Sequence, residues 1–489
     1  MAPKLVDPAL LRSAAHVGGA WIAADSGATC AVVDPATGET IARVPRLGAA
    51  ETRRAVEAAG AAQSAWRART AVERSVVLRR FADLLGKHAA DVALLITSEE
   101  GKPLAEAKGE VAYAASFLEW FAEEARRVYG ETIPAHRRDA RVVVTKEPIG
   151  VGAAITPWNF PAAMITRKIA PALAAGCSVV VKPAEATPLT ALALAELGAR
   201  AGLPAGVLNV VTGDREDAAA IGAELTGNAS VRCLSFTGST AVGKLLMAQC
   251  ARTVKRVCLE LGGNAPFLVF DDADLEAAVD GAVLSKFRNS GQTCVCANRI
   301  LVQDGVHDRF VAALAARVRA MKVGPGTEAG VAIGPLVNDA GFAKVERHVA
   351  DATHHRAQLL LGGRPHALGR TFYEPTLLTG VTLDMAMTHE ETFGPVAGIT
   401  RFHDEAEALR IANGTPFGLA AYFYARDAAR IWRVAEALEA GMVGINTGLI
   451  STPEVPFGGV KESGLGREGS HEGIEEWLET KYLCWGGIA

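Results

Sequence analysis

The stretch Phe287-Arg-Asn-Ser-Gly-Gln-Thr-Cys294-Val-Cys296-Ala-Asn-Arg299 sets small and polar residues around a thiol, directly after an apolar run of helical character. A cysteine seated this way can attack a carbonyl. Ser290 and Gly291 let backbone come close to a ligand, and the amides of Thr293 and Cys294 can donate to the oxyanion that such an attack creates. A free cysteine on its own is more often a small core hydrophobe, so the thiol needs partners before it reads as a nucleophile. Three stretches offer them: Thr156-Pro-Trp158-Asn159-Phe-Pro161, Glu260-Leu261-Gly-Gly263 and Glu391-Thr-Phe393-Gly-Pro395. Asn159 cannot ionise, which suits a fixed amide dipole aimed at an oxyanion. Glu260, between an apolar run and two glycines, has the surroundings of a general base whose pKa rises on desolvation; by spacing alone a strand-end carboxylate fits equally well.

These residues must be held by elements that the chain announces in order. Short strand-like pieces broken by turns fill residues 1–50 and should form an edge, and Thr70-Ala-Val-Glu73 reads as a capping box opening a scaffold helix. A helix follows from Leu104 through Tyr113 and Phe117, then charged and β-branched residues alternate over 141–146 as an exposed strand. From Pro148 the pattern becomes strand, helix, strand: apolar runs at 150–155, 178–181, 208–211, 231–236 and 254–259, with helical stretches at 165–175, 188–201, 217–225 and 241–251 between them. That alternation predicts α/β architecture with a parallel, doubly wound sheet, whose chemistry lies on the loops after the strands, where Asn159, Lys182, Gly213, Gly238 and Glu260 fall. A second α/β pattern starts after Gly263, with strands at 265–270 and 299–302 and helices at 275–288 and 306–321. The active site is expected in the crevice between the two units.

Phe236-Thr-Gly238-Ser239-Thr-Ala-Val-Gly243 follows a strand and opens a helix, a place where a dinucleotide's pyrophosphate meets free N–H groups and a positive helix end. Its spacing departs from Gly-x-Gly-x-x-Gly, and an ordinary helix cap reads the same way. At 489 residues the chain needs more than one core. With 49% hydrophobic and 21% charged residues its composition is that of a soluble globular protein, and a formal net charge of −4 speaks against a nucleic-acid partner. No apolar run has the length of a membrane span, and residues 1–18 lack the order of a secretory signal, so a cytoplasmic protein is expected. Eight scattered cysteines without a regular framework point to a reducing compartment. Neither a zinc spacing nor His-Glu-x-x-His occurs, and no metal is expected.

Taken together, the four stretches resemble the signature set of the aldehyde dehydrogenase superfamily, from about Val33 to the C-terminus. Within it, Phe287-Arg288-Asn289, the Gly291-to-Cys296 run and Pro456-Phe-Gly-Gly-Val-Lys-Glu-Ser-Gly-Leu-Gly-Arg-Glu-Gly469 are most similar to succinate-semialdehyde dehydrogenases. The resemblance implies a Rossmann-like cofactor-binding domain (1–128 and 148–261), a second α/β catalytic domain (262–450), a small β oligomerisation arm (129–147 and 470–489) and a Gly-rich segment at the active-site wall (451–469). It implies an NAD-dependent oxidation of an aldehyde, with NADP as a second cofactor, through a thiohemiacetal on Cys294 and a thioester hydrolysed by water that Glu260 activates. Thr156, Trp158, Lys182, Glu185, Gly213, Gly238, Ser239, Gly243 and Leu261 would hold the cofactor, and Glu391 and Phe393 its nicotinamide end, though Phe393 also fits core packing.

Glu185 favours NAD, because a carboxylate accepts from a 2′-hydroxyl and repels a 2′-phosphate. Arg167, Arg288 and Ser451 match residues that grip a distal carboxylate, so the partner is a small aldehyde with a carboxylate at its far end. Structural ion pairs remain the other reading of both arginines, and Thr452 competes with Ser451. Cys296 is a redox partner for Cys294 or a bystander. A homodimer or homotetramer is expected. Glutarate semialdehyde or a broader ω-carboxy aldehyde is the nearest alternative substrate, and a catalytically silent relative of the fold the remote one.

Overall fold

The computed structural model describes residues 2–488; Met1 and Ala489, the outer bounds of the first and last expected segments, lie outside the described residues. The apolar runs after Pro148 become the strands Val151–Ile155, Ser178–Lys182, Leu208–Val210, Val231–Thr237 and Arg256–Glu260. They lie in the order third, second, first, fourth, fifth, all parallel, with pairs such as Ile155↔Lys182 and Thr237↔Glu260 closing the carboxyl end. Reversal of strand order between the first and fourth strands opens a crevice beyond that end. The expected N-terminal edge is there: Ala15–Val17 pairs antiparallel with the third strand and Ala20–Ile22 extends it. At the opposite edge Gly464–Leu465, from the Gly-rich run, pairs with Leu259 and Glu260.

Mostly apolar, Val-containing runs make these strands fit for burial on both faces, and helices supply the cover. Helix Ala163–Ala175 is the extreme case, with all thirteen residues buried, Arg167 and Lys168 among them. Two cations on such a helix must find buried partners. Further out, Thr70 caps helix Ala71–Lys87 as its spacing predicts, Thr70 N–H donating to Glu73 at 2.7 Å and Glu73 N–H to the Thr70 hydroxyl at 3.3 Å.

The second sheet places Ala297–Gln303 beside Ala265–Val269, flanked by Val396–Phe402 and Thr376–Thr379 on one side and Ala420–Tyr424 and Met442–Ile445 on the other, all parallel. Gln358–Leu361 closes one edge in antiparallel sense. Only residues 261–264 separate the end of the first sheet from the start of the second, so carboxyl ends of one sheet face amino ends of the other. Cys294 precedes strand Ala297–Gln303, and the Glu391 stretch precedes Val396–Phe402. The rule that ligands lie beyond carboxyl ends therefore holds in the first sheet and is reversed in the second.

The helix expected over 275–288 stops at Phe287. Arg288 is extended (φ −54°, ψ 135°), and left-handed Asn289, Ser290 and Gly291 (φ 51°, 55° and 75°) then turn the chain sharply into the Cys294 loop. Arg288 thus stands at the helix exit and not on the helix. The exposed strand expected at 141–146 is the middle of a three-stranded antiparallel arm of Glu131–Ile133, Ala140–Pro148 and Leu478–Gly486.

Candidate active site

Where the two sheets meet, Trp158, Asn159, Cys294, Glu391 and Phe393 line one cleft of ≈ 220 Å³, which Gly238, Ser239 and Leu261 complete on the side of the first sheet. The rings of Trp158 and Phe393 meet edge to face, 5.5 Å apart at 85°, with Phe393 held at φ 54°. A non-glycine residue in that conformation is strained, which favours a functional placement over simple core packing. Lys344, from helix Asp339–His354, also lines the cleft, its Nζ 5.8 Å above the Phe393 ring. Nothing in the sequence singled it out, because a lysine on an amphipathic helix reads as solvated.

Burial pushes the Cys294 thiol up to about 12; Arg167 and Arg288 pull it down, while Glu391 and Glu260 add to the rise. At neutral pH the resting group is therefore a thiol, and its proton must leave during attack. Asn159 is 4% exposed, and one N–H of its side-chain amide donates to the Gln292 carbonyl at 3.0 Å. That bond fixes which end of the amide is nitrogen and leaves its second N–H for a ligand.

Glu260 ends its strand with both carboxyl oxygens buried and unpartnered among the described residues. Burial, then the negative charge of Glu468, raise it well above the ordinary carboxylate range, against Arg167, Lys168 and Arg467. Glu468 stays low in spite of its burial, because it pairs with Lys168 and, at 2.7 Å, with Arg167. A side chain at Gly458 would put its Cβ 2.8 Å from Glu260 Oε1, so the Gly-rich run keeps the space beside this carboxyl open. Glycines also mark the other junctions: a Cβ at Gly263 would lie 2.6 Å from the Cys294 carbonyl oxygen, and one at Gly291 would lie 2.1 Å from that of Gly394.

The cofactor residues expected from the sequence divide into two groups. Gly238, Ser239, Leu261, Trp158, Glu391 and Phe393 lie in the cleft with Cys294; Thr156, Lys182, Glu185, Gly213 and Gly243 do not line it. Ser239 caps helix Thr240–Cys250, accepting from Val242 N–H at 3.4 Å, and Gly243 lets the first turn pack on Leu261, whose Cδ2 lies 2.3 Å from a Cβ built there. Along the neighbouring strand ends, Thr156 N–H donates to Lys182 O (3.1 Å), the Thr156 hydroxyl is buried without a partner among the described residues, and Lys182 Nζ is 3.7 Å from Glu185. Gly213 sits beyond, against Ile221 and Asp217. A helix start beside an open cleft, an orphaned buried hydroxyl and a Lys–Glu pair fit a dinucleotide laid across the strand ends. Burial raises Glu391 to about 7, opposed by Lys344, the Gly263 amide and Lys286.

Arg288, whose charge reaches Cys294, does not line the cleft and has no ion pair or hydrogen bond with any described residue; its guanidinium lies 5.1 Å from the Phe160 ring. Arg167 is 1% exposed, stacked on Phe457 at 3.8 Å and paired with Glu468, so a structural ion pair occupies at least one of its edges. Ser451 is half-buried and makes no side-chain bond, whereas its neighbour Thr452 donates to Glu454, which leaves Ser451 as the uncommitted hydroxyl. The Tyr113 hydroxyl, unforeseen as a site group, is buried without a partner among the described residues and feels the charges of Arg167 and Arg288. Cys296 Sγ donates to Lys286 O at 3.0 Å, satisfying a carbonyl in the last helical turn, a structural task independent of any redox chemistry.

Residues 21–483 match the family model described as aldehyde dehydrogenase family. The chain is 62% identical over 485 residues to a glutarate-semialdehyde dehydrogenase of Pseudomonas aeruginosa, covering 99% of this chain and 100% of that one. It is 59% identical over 483 residues to the NADP-dependent succinate-semialdehyde dehydrogenase of Escherichia coli K12, again 99% and 100%. The crystal structure of a succinate-semialdehyde dehydrogenase from Burkholderia pseudomallei superimposes with a TM-score of 0.97 at 63% identity, over 99% of this chain and 100% of that one.

Proposed function

The chain belongs to the aldehyde dehydrogenase family, and from that premise we propose that it oxidises succinate semialdehyde to succinate with NAD as hydride acceptor. Arg288 and Ser451 receive the distal carboxylate, with Arg167 contributing positive charge from its Glu468 pair, while the aldehyde carbon faces Cys294. The thiol attacks as its proton passes to solvent water in the cleft; Asn159's free N–H and the Cys294 backbone N–H hold the new oxyanion of the thiohemiacetal. NAD, held by Gly238, Ser239, Leu261, Glu391 and Phe393, would supply the acceptor for the hydride of the thiohemiacetal carbon. A thioester on Cys294 remains. Glu260, its affinity for a proton increased by burial, takes a proton from water as it attacks the thioester, releasing succinate and restoring the thiol.

The observation that carries the substrate is Arg288: a guanidinium whose charge reaches Cys294 and Glu106 and which forms no ion pair or hydrogen bond among the described residues. An arginine in that position is suited to a bidentate carboxylate partner. Glutarate semialdehyde is the second reading, favoured by the relative of that name at 62% identity. One methylene shifts binding by only about 1–3 kcal/mol, which a loop can absorb. Initial rates with succinate semialdehyde, glutarate semialdehyde and uncharged aliphatic aldehydes, each with NAD and NADP, test both. A kcat/KM for an uncharged aldehyde equal to that for the best carboxylated one would overturn the distal-carboxylate reading. Glu185 supports NAD over NADP; a preference for NADP, the cofactor in the name of the Escherichia coli relative, would remove that role from Glu185. The reading places the enzyme in the cytoplasm, as a homodimer or homotetramer joined through the β arm.

A further inference from the structure

We infer that Lys102 is a positioning residue for the oxyanion amide of Asn159, an inference that rests on reading Asn159 as that donor. In the sequence, Gly101-Lys102-Pro103 marks only the end of a helix. In the fold, the Lys102 side chain is wholly buried. Its ammonium pairs with Glu110, donates to the Asn159 backbone carbonyl at 2.7 Å and lies 3.8 Å from the Phe160 ring. Two oxygens and a π face account for its three N–H groups. The other oxygen of Glu110 accepts from Ala162 N–H (2.9 Å) and Ala163 N–H (3.3 Å), where helix Ala163–Ala175 begins. The Lys102–Glu110 pair therefore grips the turn carrying Asn159 at both of its ends.

A second hold comes from the nucleophile's side. Asn289 Nδ2 donates to the same Asn159 carbonyl at 3.1 Å and to Glu100 at 2.8 Å, and Asn289 N–H donates to Glu106 at 2.7 Å. The peptide oxygen of Asn159 is thus the point where the turn leading to Cys294 and the oxyanion loop are tied together, with Lys102 supplying the charge. Fixing that peptide fixes the direction in which the Asn159 side chain leaves the backbone, and the bond to Gln292 sets its amide plane.

The test uses the full chain with Lys102→Met and with Lys102→Met combined with Glu110→Gln, which removes the buried charge pair while leaving an acceptor for residues 162 and 163. Hydrolysis of p-nitrophenyl acetate reports the thiol, the oxyanion site and the base without aldehyde or nucleotide. Alkylation of Cys294 by iodoacetamide, followed by peptide mass spectrometry, is a displacement at saturated carbon and builds no oxyanion. Expected is a loss of about 100-fold in ester hydrolysis with alkylation within about threefold of the parent. Ester hydrolysis within about threefold of the parent, or alkylation falling in parallel with it, would overturn the positioning role. Should the single variant fail to fold, the double variant decides. A parent without ester hydrolysis overturns the Asn159 reading and this inference together, whereas a wrong choice of aldehyde touches neither.

Discussion

Glu260 has no hydrogen-bond partner among the described residues and a pKa raised by burial, so its proposed task is tested by turning the carboxyl into an amide. Glu260→Gln preserves shape and leaves thiol attack and hydride release intact, but removes the base for thioester hydrolysis. The expected outcome in stopped-flow is a burst of about one reduced cofactor per site, then a steady rate lower by about 10²–10⁴-fold. Glu391 gives a pH prediction. Its folded pKa of about 7 lies above the ordinary carboxylate value, so the charged form, which in the proposed reading accepts from the cofactor's ribose hydroxyls, is lost as pH falls through about 7. Cofactor affinity should weaken between pH 8 and pH 6 in calorimetric titrations, and Glu391→Gln should flatten that dependence at a lower overall affinity. Both residues stood out in the sequence, as did Cys294 and Asn159, because each sits among glycines, prolines or aromatics that ordinary surface positions lack. Lys102, Lys168 and Lys344 did not. Burial of a lysine is decided by which elements close over it, and a single Lys in a helical pattern carries no sign of that.

Elements explain why so many glycines surround the site. A Cβ at Gly263 would collide with the Cys294 carbonyl at 2.6 Å, and backbone, unlike a side-chain tip, cannot swing away. Gly263→Ala should therefore push the nucleophile loop out of line. A misplacement on the order of 1 Å costs about 100-fold in kcat, measurable by steady-state assay against an unchanged far-ultraviolet circular dichroism spectrum. Activity within a few fold of the parent would show that the loop yields freely. At this scale the sequence located strands and helices of the first sheet closely, since Val and Ala runs bounded by Gly and Pro leave few alternatives. It missed the reversal in the second sheet, because periodicity reports which residues are buried and not which end of a strand faces the neighbouring unit. The early stop at Phe287 was hidden for a related reason: Arg288 extends the helical pattern, and only the packed left-handed turn at 289–291 forces the chain out of it.

At the scale of the whole molecule, the arm is where the proposed assembly would act. Leu478–Gly486 pairs with Ala140–Pro148 over nine positions, yet its other edge is open and every residue after Leu478 in the strand is exposed. Tyr482 is 57% and Trp485 73% exposed. A long open edge carrying aromatics invites association, and natural proteins cover such edges or blunt them with charge. The root of the arm is anchored, since Ile149 N–H donates to Trp477 O at 3.0 Å and the Trp477 ring packs where Gly152 lacks a side chain. Charge placed beyond that root should disturb assembly while sparing the fold of the chain. Tyr482→Lys with Trp485→Lys is expected to shift sedimentation velocity from a dimer or tetramer to the monomer, with the melting transition lowered through lost association. A parent that sediments as a monomer at micromolar concentration would remove the arm's assembly role. If assembly is lost in the variant, the Lys102–Asn159 and Arg288 contacts still close within one chain, so aldehyde oxidation should persist at a reduced level and not vanish.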